Sequence, residues 1–350
     1  MSFVNFNRGN LGFGVRLLIM FMILPLVWIT FGPATASQSE DDLITGAKKE
    51  AKLVWYTTLT VRESDTMLKK FNTMYPFIKT EMFRSGDLKL LTKVMAESRA
   101  KKYFFDVIAT TGISAEIMKS KGLFAKYQSP QRKFFPKEIN DPDGYWTDYY
   151  LNINVMGYNT RMVAPHEVPK TFEDLLDPQW KGKLGMDTKA FYWFANVFKF
   201  MGEEKALDYM KKLAKQEILF RTGRTLNAQM LAAGEVDICI TLYNNRVEQM
   251  KSDGAPIEWF VIEPVVPELH PVAISAHAPH PNVAKLFVDF ILSEEGQQMI
   301  VDFYRIPSRM GTSPKIPSMK EGIKILPFDF SIGENYEKYV NLYRDVLMKK

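Results

Sequence analysis

Residues 221–246, RTGRTLNAQMLAAGEVDICITLYNNR, gather polar groups able to hold a small solute. A glycine-containing loop carries Arg221 and Arg224, and the Thr225 hydroxyl is placed to cap a short helix over 226–233. Gly234 falls where a helix ends in a left-handed residue. Val236 to Leu242 is a short apolar run rich in β-branched residues and reads as a buried strand. It ends in a polar loop, Tyr243-Asn244-Asn245-Arg246. A loop, a helix and a strand thereby bring hydroxyl, amide and guanidinium groups to one sheet edge. In open α/β sheets ligands bind at that edge, outside the carboxyl ends of the strands. No nucleophile–base pair accompanies these groups, so their chemistry is that of a grip.

The elements that position them alternate. Leu43 to Ala51 reads as a helix and Lys52 to Thr57 as a first strand, which runs into a hydroxyl-rich loop, Thr57-Thr58-Leu59-Thr60. A helix over 63–75, a strand over 78–83 and a helix over 88–99 follow. Phe105 to Ala109 is a third strand, ending in Thr110-Thr111-Gly112 before a helix that runs to Lys119. The alternation predicts a mostly parallel sheet with helices on its faces. Both hydroxyl-rich loops stand at helix amino ends, where free N–H groups suit an anion, although such residues are also ordinary caps and turns. Tyr149 to Thr160 is a long extended segment suited to crossing between domains.

A chain of 350 residues with 46% hydrophobic and 24% charged residues supports two domains with their own cores. The formal charge of +5 is small and the charges are interspersed, which argues against nucleic-acid binding. One cysteine, Cys239, excludes an intramolecular disulfide and reads as a core thiol. The first 36 residues carry only Arg8 and Arg16, an apolar run over 17–31 and Ala34-Thr35-Ala36. As a helix the run spans about 22 Å, short of a hydrocarbon core of roughly 30 Å. It reads as a removable export signal cleaved near Ala36. Cleavage removes two cations, leaving 43 against 40 anions and a net charge of +3.

Val168-Pro169-Lys170-Thr171-Phe172-Glu173-Asp174-Leu175-Leu176-Asp177-Pro178-Gln179-Trp180-Lys181-Gly182-Lys183 resembles a signature stretch of the periplasmic solute-binding proteins of ABC importers. That group includes receptors for ferric iron, thiamine, polyamines and 2-aminoethylphosphonate. The first strand at 54–57, Met156 to Thr160, Ala232 to Ile238 and the segment 281–297 extend the resemblance from about Asp41 to the C-terminus. It implies a two-lobed α/β fold, the type II periplasmic binding fold, with two crossover strands as hinge. Lobe 1 is expected over 37–154 plus 273–350 and lobe 2 over 155–272, with a return crossing near 272–276. The final helix, from Tyr336, is expected to pack on lobe 1.

The resemblance also implies a cleft lined by Thr57, Thr58, Thr60, Thr110 and Thr111 from one lobe. Asp187, Thr188, Arg221, Arg224, Thr225 and Tyr243 come from the other, and the solute is expected to be a small anion or zwitterion. Arg221 and Arg224 read equally as ligand grips or solvated surface charge. Ferric relatives pair adjacent tyrosines where this chain has Tyr243-Asn244; a ferric alternative would draw on scattered tyrosines, Tyr56, Tyr192 and Tyr243. His270, His277 and His280 read as structural, so no metal ligand and no cofactor is assigned. The expected partners are an ABC permease and ATPase, and the expected state is a periplasmic monomer. An enzyme on this fold lacks the usual motifs: no Gly-x-Ser-x-Gly, no His-Glu-x-x-His and no phosphate loop. A ligand sensor for a signalling partner remains a further alternative.

Overall fold

The computed structural model describes residues 40–263 and 265–349; the expected export signal lies outside them. Helix α1 (Glu40–Glu50) opens on three acids and closes on Lys48 and Lys49, matching the helix dipole. Strand β1 (Lys52–Thr57) leads to α2 (Val61–Met74), β2 (Lys79–Arg84), α3 (Asp87–Arg99), β3 (Val107–Ala109) and α4 (Gly112–Ser120). A short β4 (Phe124–Ala125) precedes the long β5 (Trp146–Asn159), which is buried along its whole length.

Next come β6 (Leu184–Asp187), α5 (Phe191–Met201), α6 (Glu203–Ala214), β7 (Leu219–Arg221), α7 (Arg224–Ala233), β8 (Ile238–Tyr243), α8 (Asn244–Ser252) and β9 (Ile257–Phe260). The chain returns through β10 (Pro267–Ser275), α9 (Pro281–Leu292), α10 (Glu294–Asp302) and β11 (Ile306–Pro307), and ends with α11 (Tyr336–Tyr343).

The strands form one sheet in the order β2-β1-β3-β10-β5-β8-β6-β7. The outer pairs, β1 with β2 and β3, and β6 with β7 and β8, are parallel, as strand–helix alternation dictates. Around the crossings the pairing is antiparallel. Strand β5 changes partners midway: Leu151 and Ile153 pair with β10, whereas Asn154 and Val155 pair with β8. The two halves of the fold therefore meet between Ile153 and Asn154.

Three expectations change. Pro267–Ala273 registers on Trp146–Ile153, and Ile274 and Ser275 pair with β3 and β4, so β10 lies on first-half strands from Pro267 on, ahead of the expected 272–276. Thr225 does not cap α7; it lies in its first turn, and Gly223, at φ 101°, takes the cap position. Asn244 to Arg246 open α8 and are not a loop.

The C-terminal helix also differs. Tyr343 is fully buried, meets Phe191 and Phe194 of α5 edge-on at 5.2 and 5.3 Å, and donates a 2.6 Å hydrogen bond to the Asp187 carbonyl. Helix α11 thus packs on α5 and completes the second half's core, where the expectation had placed it on the first. The aromatic run Phe191–Phe194 likewise turns inward to that core.

Candidate functional site

The crossing strands carry polar side chains in the middle of the sheet. Glu268 pairs across from Asn152, His270 from Tyr150, and Tyr243 of β8 from Asn154. Because strand side chains alternate between faces, these six lie on one face and form a continuous row. Buried polar residues need partners, and this row recruits them from both halves.

On the first-half side, Arg305 forks onto Glu63 (Nε to Oε1 3.1 Å, Nη2 to Oε2 2.9 Å) and donates to Asn152 Oδ1 at 3.2 Å. Its guanidinium lies 4.4 Å from the centre of the Tyr150 ring. His270 stacks on Tyr150 with ring centres 4.1 Å apart, and its Nε2 lies 2.9 Å from Asn152 Nδ2. On the second-half side, Arg224 pairs with Asp187 at 3.2 Å, donates to Asn154 Oδ1 at 3.3 Å and sits 5.1 Å from the Tyr243 ring centre. Two arginines, one anchored in each half, thus hold the two asparagines on either side of the partner switch.

The electrostatics follow from burial. Desolvation opposes the charge on Arg224, but Asp187, Tyr243 and Glu268 more than offset it and hold the guanidinium above its ordinary pKa. Burial pushes Glu63 up, but Arg305 and the hydrogen bonds from Thr60 together outweigh it and pull the carboxyl below its usual value. Glu268 is pushed up to about 6, first by burial, with Arg224 and the Tyr243 hydroxyl lowering it in part. Tyr243 donates its hydroxyl to Glu268, and burial together with that carboxylate keeps the phenol protonated.

The loops expected to face a ligand are engaged as follows. Thr57 is buried and its Oγ1 accepts from Leu59 N at 3.0 Å. Thr60 caps α2, accepting from Glu63 N while Glu63 bonds back to Thr60 N. Thr110 and Thr111 donate their hydroxyls to Asp87 at 2.8 and 2.9 Å, Ser114 donates to the same carboxylate at 2.8 Å, and Thr111 N lies 3.4 Å from it. Thr58 makes only a 3.5 Å contact to Ala109 O through its hydroxyl.

In the second half, Asp187 accepts from Lys189 N at 3.0 Å and Gly223 N at 3.2 Å. Thr188 meets Thr222 at 2.8 Å through their hydroxyls. Arg221 points outward, 4.0 Å from Glu235, and Thr225 is exposed. At the two hydroxyl-rich loops, Thr60 and Glu63 therefore cap each other and Asp87 takes up the hydroxyls of Thr110 and Thr111, while Asp187 holds the Gly223 N–H before α7. Arg224 and Tyr243 join the buried row, whereas Arg221 does not.

Sequence reasoning missed Glu268, Asn152, Asn154, Asp87 and the Glu63–Arg305 pair. The available signal was polar alternation, Asn152-Ile153-Asn154 and Glu268-Leu269-His270, inside strands otherwise apolar enough for burial on both faces.

Of the tyrosines of the ferric alternative, Tyr192 and Tyr243 donate to the adjacent Pro267 O and Glu268, whereas Tyr56 donates to Glu97. His277 lies against Tyr103 and His280 against Asp106, away from His270. Among the described residues no three His, Cys, Asp or Glu side chains group as a metal site. Cys239 is buried, and burial pushes its thiol up to about 12. No described helix is long and apolar enough to cross a membrane.

The family described as bacterial extracellular solute-binding protein matches residues 104–331. An uncharacterised protein of Haemophilus influenzae is 29% identical over 269 residues, covering 72% of this chain and 76% of that protein. The periplasmic binding protein AfuA of Actinobacillus pleuropneumoniae, solved with fructose-6-phosphate, superposes with a TM-score of 0.76 at 25% identity, covering 85% of this chain and 99% of that one. Iron-bound HitA of Pseudomonas aeruginosa also gives a TM-score of 0.76, at 23% identity and the same coverage, a likeness of fold. Both the family and these solved neighbours are binding proteins, not enzymes. The chain belongs to the bacterial extracellular solute-binding proteins and has their type II periplasmic binding fold.

Proposed function

We propose that the chain is exported behind residues 1–36 and works in the periplasm as a monomeric receptor. It captures a small polar solute over the row formed by Asn152, Asn154, Tyr243 and Glu268 and presents it to an ABC permease and its ATPase. The observation that carries this reading is the row itself: buried polar side chains on the strands joining the halves, with Asn152 held by Arg305 from one side and Asn154 by Arg224 from the other. Solute placed there touches both halves and favours their closed arrangement, a population shift set by its differential affinity. Thr58 from the first half and Thr188 from the second stand at the neighbouring strand ends as further contacts.

The protein binds and releases its cargo unchanged, in keeping with the binding-protein family to which it belongs. A ferric role is the weaker reading, since Tyr243 is a protonated donor to Glu268 and not a phenolate. AfuA carries a sugar phosphate and HitA iron on the same fold, so the fold does not choose the solute. The test is to equilibrate the mature protein with a bacterial small-molecule extract, wash it, and identify what stays bound by mass spectrometry. A stoichiometric, unmodified compound is expected. Turnover of that compound, or no retention at any concentration, refutes the reading.

A further inference from the structure

Beside the row, and sharing Asn154 with it, lies a cavity of about 40 Å³. Tyr192 and Val197 of α5, Ile240 of β8 and Val265 before β10 line it. Roughly 10–15 Å³ of such space holds one water, so the cavity takes about three or four non-hydrogen atoms. None of the described lining residues is charged, and all but Asn154 and Asn196 are aliphatic, aromatic or methionine. The Tyr192 hydroxyl already donates to Pro267 O at 3.1 Å, and the Asn196 amide to Tyr192 O at 2.8 Å. An apolar space of this kind holds water poorly, because a buried water needs several polar partners. A carbon group placed there restores the dispersion contacts that a void forfeits. A second observation is independent of the volume. Asn154 is buried, and its Oδ1 accepts from Arg224 Nη2 at 3.3 Å. A guanidinium only donates, so the amide oxygen must face Arg224 and the amide nitrogen faces away. That nitrogen donates to no described residue. The residue common to row and cavity thus offers an open donor at their junction, where a buried donor calls for an acceptor.

Resting on the receptor reading above, we infer that the solute carries a compact uncharged branch of three or four carbons that seats in this cavity. An acceptor oxygen next to the branch meets the Asn154 amide nitrogen, and the polar remainder lies over the row. A charged group is disfavoured in the cavity because nothing in the lining offsets its desolvation. A solute without the branch leaves the void unfilled and forgoes the affinity that burying its carbons contributes.

Two readouts decide this separately from the receptor reading. Crystals of the solute-free protein under xenon pressure should show one xenon among Val197, Ile240 and Val265. The compound captured from the extract should carry the branch, and its analogue cut back to a single methyl there should bind at least tenfold more weakly in calorimetry. Val197→Leu and Val265→Leu each extend a lining side chain, and each should weaken the captured compound at least tenfold while melting no lower than the wild type. Ordered water or no xenon in the cavity, a captured compound lacking the branch, equal binding of the shortened analogue, or unchanged affinity in both variants overturns the inference and leaves the receptor standing. No captured compound at all removes both.

Discussion

Glu268 should cost the empty receptor stability. Its carboxyl is raised from 4.5 to about 6 in the folded chain, chiefly by burial. The folded state therefore holds a proton between those pH values that the unfolded chain has released, and stability falls as pH rises through that window. At ~1.4 kcal/mol per pH unit the loss is about 2 kcal/mol, fully present above pH 6. Glu268→Gln keeps an acceptor for the Tyr243 hydroxyl and removes the ionisation. The variant should match the wild type near pH 4 and exceed it by about 2 kcal/mol at pH 8. With ~2.1 cal/mol/K of unfolding entropy per residue over 350 residues, that is a Tm rise of about 3 °C. Urea unfolding of both proteins across pH 4 to 8, without solute, measures the difference directly. A difference that does not vary with pH, or a variant less stable at pH 8, refutes the reasoning.

Other expectations test neighbouring parts. Asp187→Asn leaves Arg224 buried without its carboxylate and should destabilise by about 3–5 kcal/mol in urea unfolding. Thr60→Ala removes the α2 cap and should cost about 1 kcal/mol in unfolding while solute affinity by calorimetry stays unchanged. His270 is held neutral, first by burial and then by Arg305, well below its ordinary 6.5. The unfolded chain gains a proton there that the folded chain refuses, so wild-type stability declines as pH drops below 6.5. His270→Phe keeps the stack on Tyr150 and loses that proton, so urea midpoints between pH 7 and 5 should shift progressively in the variant's favour.

Much of the scaffold was legible because it depends on local pattern. The apolar run at 52–57, the left-handed Gly234 at φ 77° and the long strand through 149–159 each declare themselves within a few residues. The site was less legible because its residues are defined by distant partners. Thr110 and Thr111 look like open anion donors until Asp87, more than twenty residues earlier, is seen on their hydroxyls. Arg224 was visible as a cation, but its neutralisation by Asp187, thirty-seven positions before it, was not. Glu268, set among prolines, carries no local signal of its place, and only the register of β10 on β5 puts it at the centre. The final helix misled for the same reason. Its periodicity reveals an apolar stripe without saying which half of the molecule receives it.

The burial of Tyr343 among Phe191, Phe194 and Phe220 has a consequence for how the molecule is made. The aromatic heart of the second half lacks a wall until Tyr343 has been made. A growing polypeptide that has already emitted Phe191 must carry those rings unsheltered through some 150 further residues. Late completion of this kind leaves aromatic surface open on the newborn chain, the condition in which chaperones bind it. It also means that a stop introduced before Tyr343 is no harmless trim.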